Sequence, residues 1–174
     1  MSTKLINRAD LNGVHQPLPN QWTLFGSPQK FIEMPLVDRE RILFLDALST
    51  ESIYGAVNRQ NLLYGDDGFG NTPFVGGCYK RVEQYRHQGK DDLKKWLYQR
   101  SVPFTATAFI LPVFAAQDEP AILTTWKIIV KYAPELFSGD NIVVVGETTD
   151  WCLYYHHDGI LTFAREPDMS KIYR

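Results

Sequence analysis

The dipeptide Asp158-Gly159 separates two strand-like runs, Trp151–His157 and Ile160–Ala164, and it restricts the fold more than any other feature of the chain. Asp-Gly between apolar stretches favours a tight turn with positive φ, and such a turn joins antiparallel neighbours. The C-terminal part of this chain must therefore build a sheet. Two more segments read as strands. Phe104–Phe114 alternates Phe104, Ala106, Ala108 and Ile110 with Thr105, Thr107, Phe109 and Leu111. Ile142–Val145 is an unbroken β-branched run, which suits a strand covered on both faces.

Helical spacing appears between and before these strands. From Pro120, the stripe Leu123, Trp126, Ile129, Val130 and Ala133 predicts a helix, which Pro134 ends or turns into a short extra turn through Phe137. Leu93, Trp96 and Leu97 predict a helix from Asp91, with Asp91 and Asp92 favoured in its first turn by the helix dipole. Ser49 or Thr50 is the expected N-cap of a helix over Glu51–Asn61, with Ile53, Ala56 and Val57 facing inward. Asp38 suggests a cap for a short helix over Arg39–Ala47, although Ile42–Leu45 fits a buried strand equally well. Tyr79, Val82 and Tyr85 also recur at helical spacing. Prolines 17, 19, 28 and 35 make residues 1–35 an irregular arm, packed on the core by Trp22, Leu24, Phe25, Phe31 and Ile32. The expected fold is α+β: one domain over residues 1–174, with helices packed on a mixed, mostly antiparallel sheet that admits one parallel crossover.

Composition narrows the function. The 174 residues are 44% hydrophobic and 22% charged, an ordinary balance for a globular chain with a core of its own. No apolar run approaches the ~20 residues of a membrane span. Met1–Leu11 lacks the apolar core of a secretion signal. The two cysteines, Cys78 and Cys152, are far apart and outside any metal-ligand spacing, so both are expected as thiols. A cytoplasmic protein without a membrane partner is the expectation.

The net charge of −2 hides a segregation. Tyr79–Arg100 carries Lys80, Arg81, Arg86, Lys90, Lys94, Lys95 and Arg100. Tyr132–Ala164 carries Glu135, Asp140, Glu147, Asp150 and Asp158 with no Lys or Arg. Glu83, Asp91 and Asp92 interrupt the basic stretch, and a near-neutral chain lacks the broad positive field of a nucleic-acid binder. The acid-only stretch instead suggests a docking face for a basic protein, through Asp140, Glu147, Asp150 and Asp158.

No catalytic motif is assembled in the sequence. In a two-residue hairpin His156 stands opposite Leu161 and His157 opposite Ile160, so the two rings point to opposite faces and cannot share an ion. Neither a metal nor a cofactor is expected. Gly65–Gly77 lacks the spacing of a calcium loop or a phosphate cradle and reads as a surface loop, with Phe69 at its tip suited to contact a ligand or partner. Cys78, near Lys80 and Arg81, is the better thiol candidate; Cys152, mid-strand, is expected to be buried and inert.

The segment running from Pro120-Ala121-Ile122-Leu123-Thr124-Thr125-Trp126-Lys127 through Gly146-Glu147-Thr148-Thr149-Asp150-Trp151 to His157-Asp158-Gly159-Ile160 resembles uncharacterised small bacterial α+β proteins, some of them immunity-like. The resemblance implies a protein that neutralises a toxin by binding it, and it assigns no residue a role. The leading expectation is a non-catalytic protein-binding module. The alternative is a small-molecule binder or enzyme with a pocket near Gly65–Gly77.

Overall fold

The computed structural model describes residues 11, 28–58, 79–86, 88–113, 119–148 and 150–168. Among these, α1 (Pro28–Glu33), α2 (Leu36–Arg39), β1 (Leu43–Phe44) and α3 (Ala47–Asn58) come first. They are followed by β2 (Tyr79–Arg86), α4 (Lys90–Tyr98), β3 (Thr107–Pro112) and β4 (Ile122–Thr125). The chain continues through α5 (Trp126–Lys131), α6 (Ala133–Leu136), β5 (Ile142–Gly146), β6 (Trp151–His156) and β7 (Ile160–Pro167). The strands form one seven-stranded sheet in the order β1-β4-β3-β5-β6-β7-β2. Every pairing is antiparallel, so the α+β class stands and the parallel crossover does not form.

The sheet is covered on both faces. Phe31, Met34, Leu93, Leu97, Trp126, Ile129, Ala133 and Phe137 pack from the helical side onto Ile110, Val144, Leu153, Tyr155, Leu161 and Phe163. Ile53, Ala56 and Val57 of α3 cover the opposite face, on Phe109, Leu111, Val143, Val145, Cys152 and Tyr154. This is why β5 is apolar at consecutive positions: Val144 and Val145 face different cores.

Several elements differ from their sequence reading, each for a tertiary reason. Ile122–Thr125 is a strand, paired with β1 on one side and β3 on the other, and the helix starts only at Trp126. There the Trp126 and Lys127 amides donate to the carbonyls of Ala106 and Phe104. Tyr79–Arg86 is a strand and not a helix, because β7 extends to Pro167 and offers it a ladder. Phe104 lies in an exposed turn ahead of β3. The arm is not irregular throughout: residues 28–33 are helical, and Phe31 and Met34 enter the core.

Helix α3 begins earlier than expected, with Asp46 Oδ1 accepting the Ser49 amide at 2.7 Å in the capping role given to Ser49 or Thr50. Asp38 caps nothing. It lies buried within α2, where its carboxylate accepts hydrogen bonds from Lys131 Nζ and, at 2.6 Å, from the Tyr132 hydroxyl. It therefore ties α2 to the end of α5.

Candidate functional site

Of the five acids of the acid-only stretch, the four assigned to a docking face fall at opposite ends of β5 and β6. Asp140 precedes β5 and Asp158 lies in the β6–β7 turn, beside one another's strand ends, since Ile142 pairs with Tyr155. Glu147 and Asp150 lie at the far end, in the β5–β6 turn. Five residues at ~3.4 Å each put roughly 17 Å between the ends, so the four carboxylates make two separate groups and not one face. At the first end Glu119 adds a third acid, whose carboxyl is pushed up by burial and by the charge of Asp140. Phe69, Cys78 and the whole Gly65–Gly77 loop lie outside the described residues. Cys152 is fully buried in β6.

The Glu147–Asp150 end carries a cleft of about 310 Å³ between the chain leaving α4 and the open ends of β6 and β7. Its walls are Arg100, Ser101, Val102 and Pro103 on one side, and Asp150, Trp151, Phe163, Arg165, Glu166 and Pro167 on the other. The floor is aromatic. Trp151 and Phe163 stack at 6.1 Å between ring centroids and 17° between planes, and Trp126 meets Trp151 edge-on at 5.0 Å. Trp151 sits directly on Gly146, where an added Cβ would lie 2.7 Å from the indole Nε1. Glycine is required at 146 by this close approach.

The polar rim is organised by Glu83 of β2. Arg100, only 8% exposed, donates to its carboxylate and, through Nε, to the Trp96 carbonyl at 3.0 Å. The same guanidinium lies 4.3 Å from the Trp96 ring centroid, and Trp96 stacks on Tyr85 at 5.1 Å. Arg165 reaches Glu83 from the other side at 3.9 Å, and Arg81 pairs with Glu166 at 3.1 Å. Two donors of this cluster, Arg165 Nε and the Tyr85 hydroxyl, are buried with no hydrogen-bond partner among the described residues.

Both walls hold a non-glycine residue in the left-handed region, Ser101 at φ 58° and Glu166 at φ 62°. Ser101 follows the C-terminus of α4, a place where glycine is usual. Glu166 is fixed by its amide, which donates to the Asp150 carbonyl at 3.1 Å. Each conformation is disfavoured by about 1–2 kcal/mol for a residue with a Cβ.

Sequence reasoning missed this cleft because the hairpin register is one residue away from expectation. The turn has three residues, His157, Asp158 and Gly159, with Gly159 at φ 81°, so His156 pairs with Ile160 and Trp151 with Arg165. A two-residue turn would have set Glu166 opposite Trp151 and turned Arg165 to the other face. A slip of one exchanges the faces of a strand.

The same extra residue overturns the reading of the two histidines. His156 shares its face with Tyr154, Ile160 and Thr162, while Leu161 and Phe163 face the opposite core. His157 has left the strand for the turn, and the two rings lie side by side, 4.2 Å between centroids. The premise that they point apart does not hold.

Comparison with protein-family models, curated proteins and solved structures returned no match. No helix among the described residues is long and apolar enough to cross a membrane.

Proposed function

We propose that the protein is a non-catalytic binding module that engages a protein partner through the Arg100–Arg165 cleft. The partner supplies an apolar side chain, received between Trp151, Phe163, Val102 and Pro103, and an adjacent carbonyl or carboxylate for Arg165. The observation that carries this reading is the aromatic floor of Trp151 and Phe163 beside the Arg165 guanidinium, whose side chain is 36% exposed. Tryptophan and arginine in a partly desolvated pocket are the residue types that dominate protein interfaces. Asp150, one of the acids singled out in the sequence, takes part as a wall of the cleft. The toxin-binding role implied by the resemblance of residues 120–160 is one form of this reading.

A cleft of about 310 Å³ is at the small end of the ~300–1,000 Å³ range of ligand pockets, enough for one side chain or one compact acid. The test is an NMR titration with N-acetyl-phenylalanine and with its neutral amide, in wild type and in Arg165→Gln. Both probes should shift the Trp151 indole N–H, and Arg165→Gln should weaken both. Stronger binding of the free acid would point to a chain end or small carboxylate. If neither probe moves the Trp151 resonance, the cleft is not the binding site.

A further inference from the structure

The tip of the β6–β7 hairpin brings His156, His157 and Asp158 together at the end of the sheet opposite the cleft. One donor atom from each lies within 4.8 Å of the others. Asp158 Oδ2 is 3.3 Å from His156 Nδ1, and Asp158 Oδ1 is 3.6 Å from His157 Nε2. In a tetrahedral site with bonds of 2.0–2.2 Å, neighbouring ligand atoms are about 3.4 Å apart. Each ring nitrogen thus faces its own oxygen of the Asp158 carboxylate at a distance near the spacing a small divalent cation imposes.

The proton positions make the arrangement informative. Asn141, only 3% exposed, has its Oδ1 2.7 Å from the His157 amide and 2.9 Å from His157 Nδ1. The amide is a donor, so this atom is the oxygen of the Asn141 side chain. That oxygen carries no proton, so Nδ1 must be the donor of the second bond. The neutral ring then presents the Nε2 lone pair to Asp158. At His156, Nδ1 lies 3.3 Å from Asp158 Oδ2, and a long contact of 3.3 Å from the Asp158 amide would have to give way to a cation there. Two imidazole nitrogens and a carboxylate converge on one space, where a cation can be held between them.

Asn141 does for His157 what outer-shell carbonyls do for metal-bound histidines: it sets the tautomer and the ring orientation. It is itself fixed, since its backbone carbonyl accepts the Val113 amide at 2.9 Å. We infer that His156, His157 and Asp158 form a binding site for a divalent transition metal of the Zn²⁺ class, with Asn141 as its positioning residue. Two nitrogens and one oxygen suit Zn²⁺ or Co²⁺ better than Ca²⁺ or Mg²⁺, which favour all-oxygen sites. His157 and Asp158 are 60% and 62% exposed, so the remaining coordination positions open to solvent and to any donor a partner brings.

The test is equilibrium dialysis of the full chain against Co²⁺ and Zn²⁺, with the visible spectrum of bound Co²⁺ as the second readout. One tetrahedral Co²⁺ per chain is expected, competed off by Zn²⁺. His156→Gln and His157→Gln should each weaken binding by more than the roughly 10- to 100-fold that loss of an outer-shell partner costs. Asn141→Ser should fall within that range, and the ¹⁵N spectrum should show His157 leaving its single Nδ1–H tautomer, a change that simple loosening of the turn would not produce. Circular dichroism of the exposed-site variant His157→Gln confirms that folding is unaffected. Absence of stoichiometric binding in the wild type, or binding that survives the His156→Gln/His157→Gln pair, overturns the assignment.

Discussion

Gly146 and Asp38 show how single residues hold the site and the fold. Gly146 leaves room for the Trp151 indole, and a Cβ there would meet Nε1 at 2.7 Å and Cε2 at 2.9 Å. Overpacking of this kind costs about 1–3 kcal/mol. Gly146→Ala should lower the urea midpoint accordingly and shift the tryptophan fluorescence as Trp151 moves off the strand. An unchanged spectrum and midpoint would mean that the ring does not rest on Gly146. Asp38 has its carboxyl held below the ordinary value of 3.8, first by the hydrogen bond from Lys131 and then by that from Tyr132. A pKa lower in the folded than in the unfolded state gives stability that is complete above the unfolded value. That stability is lost as pH falls through the folded one. Wild type should therefore lose stability more steeply than Asp38→Asn below pH 3.8, and be the more stable of the two at neutral pH. Parallel stability curves down to pH 2 would remove Asp38 from that role.

At the scale of elements, the cleft walls are held in backbone conformations that a side chain disfavours. Ser101 and Glu166 sit at φ 58° and 62°, on either side of the same opening. Strain of this kind persists where surrounding structure imposes it, and it gathers at functional sites. Ser101→Gly relieves the clash and should stabilise the chain by about 0.5–1 kcal/mol, read from the denaturation midpoint. If the cleft depends on the rigidity of that wall, the same variant should bind N-acetyl-phenylalanine more weakly despite its greater stability. Destabilisation by Ser101→Gly would show that the serine hydroxyl, and not the backbone, matters there. The hairpin tip follows the same logic at Gly159, φ 81°. Asp-Gly was legible as a turn from sequence alone, but not whether two or three residues would form it. That count decides which residues meet.

The whole molecule is a sequence-local sheet completed by distant strands. β3 to β7 lie within residues 107–167 and form the contiguous order β4-β3-β5-β6-β7. β1 and β2, from earlier in the chain, add at the two edges. β2 pairs with β7 across a long span of sequence, Val82 with Ala164, and most of its side chains are exposed. Stability is expected to grade outward from the doubly covered centre. Amide hydrogen exchange should be slowest at Val143, Val144 and Leu153 and faster by at least tenfold along β2. Equal protection of β2 and β5 would mean that the sheet opens only as a unit.

What the sequence determined by itself was local: where the apolar residues cluster, which segments bear period-2 or helical spacing, and that Asp158-Gly159 turns the chain. These features produced the α+β class, the strands at Ile142–Val145 and after Trp151, and the inward faces of α3 and α4, because burial of a stripe needs only neighbours in sequence to be recognised. Tertiary structure decided the rest. Ile122–Thr125 and Tyr79–Arg86 became strands because ladders from elsewhere in the chain were available to them. Glu83, Arg100 and Arg165 converge across three elements that no spacing connects. The acid-only stretch is continuous along the chain but divided in space, because an antiparallel pair sends consecutive acids to opposite ends of the sheet.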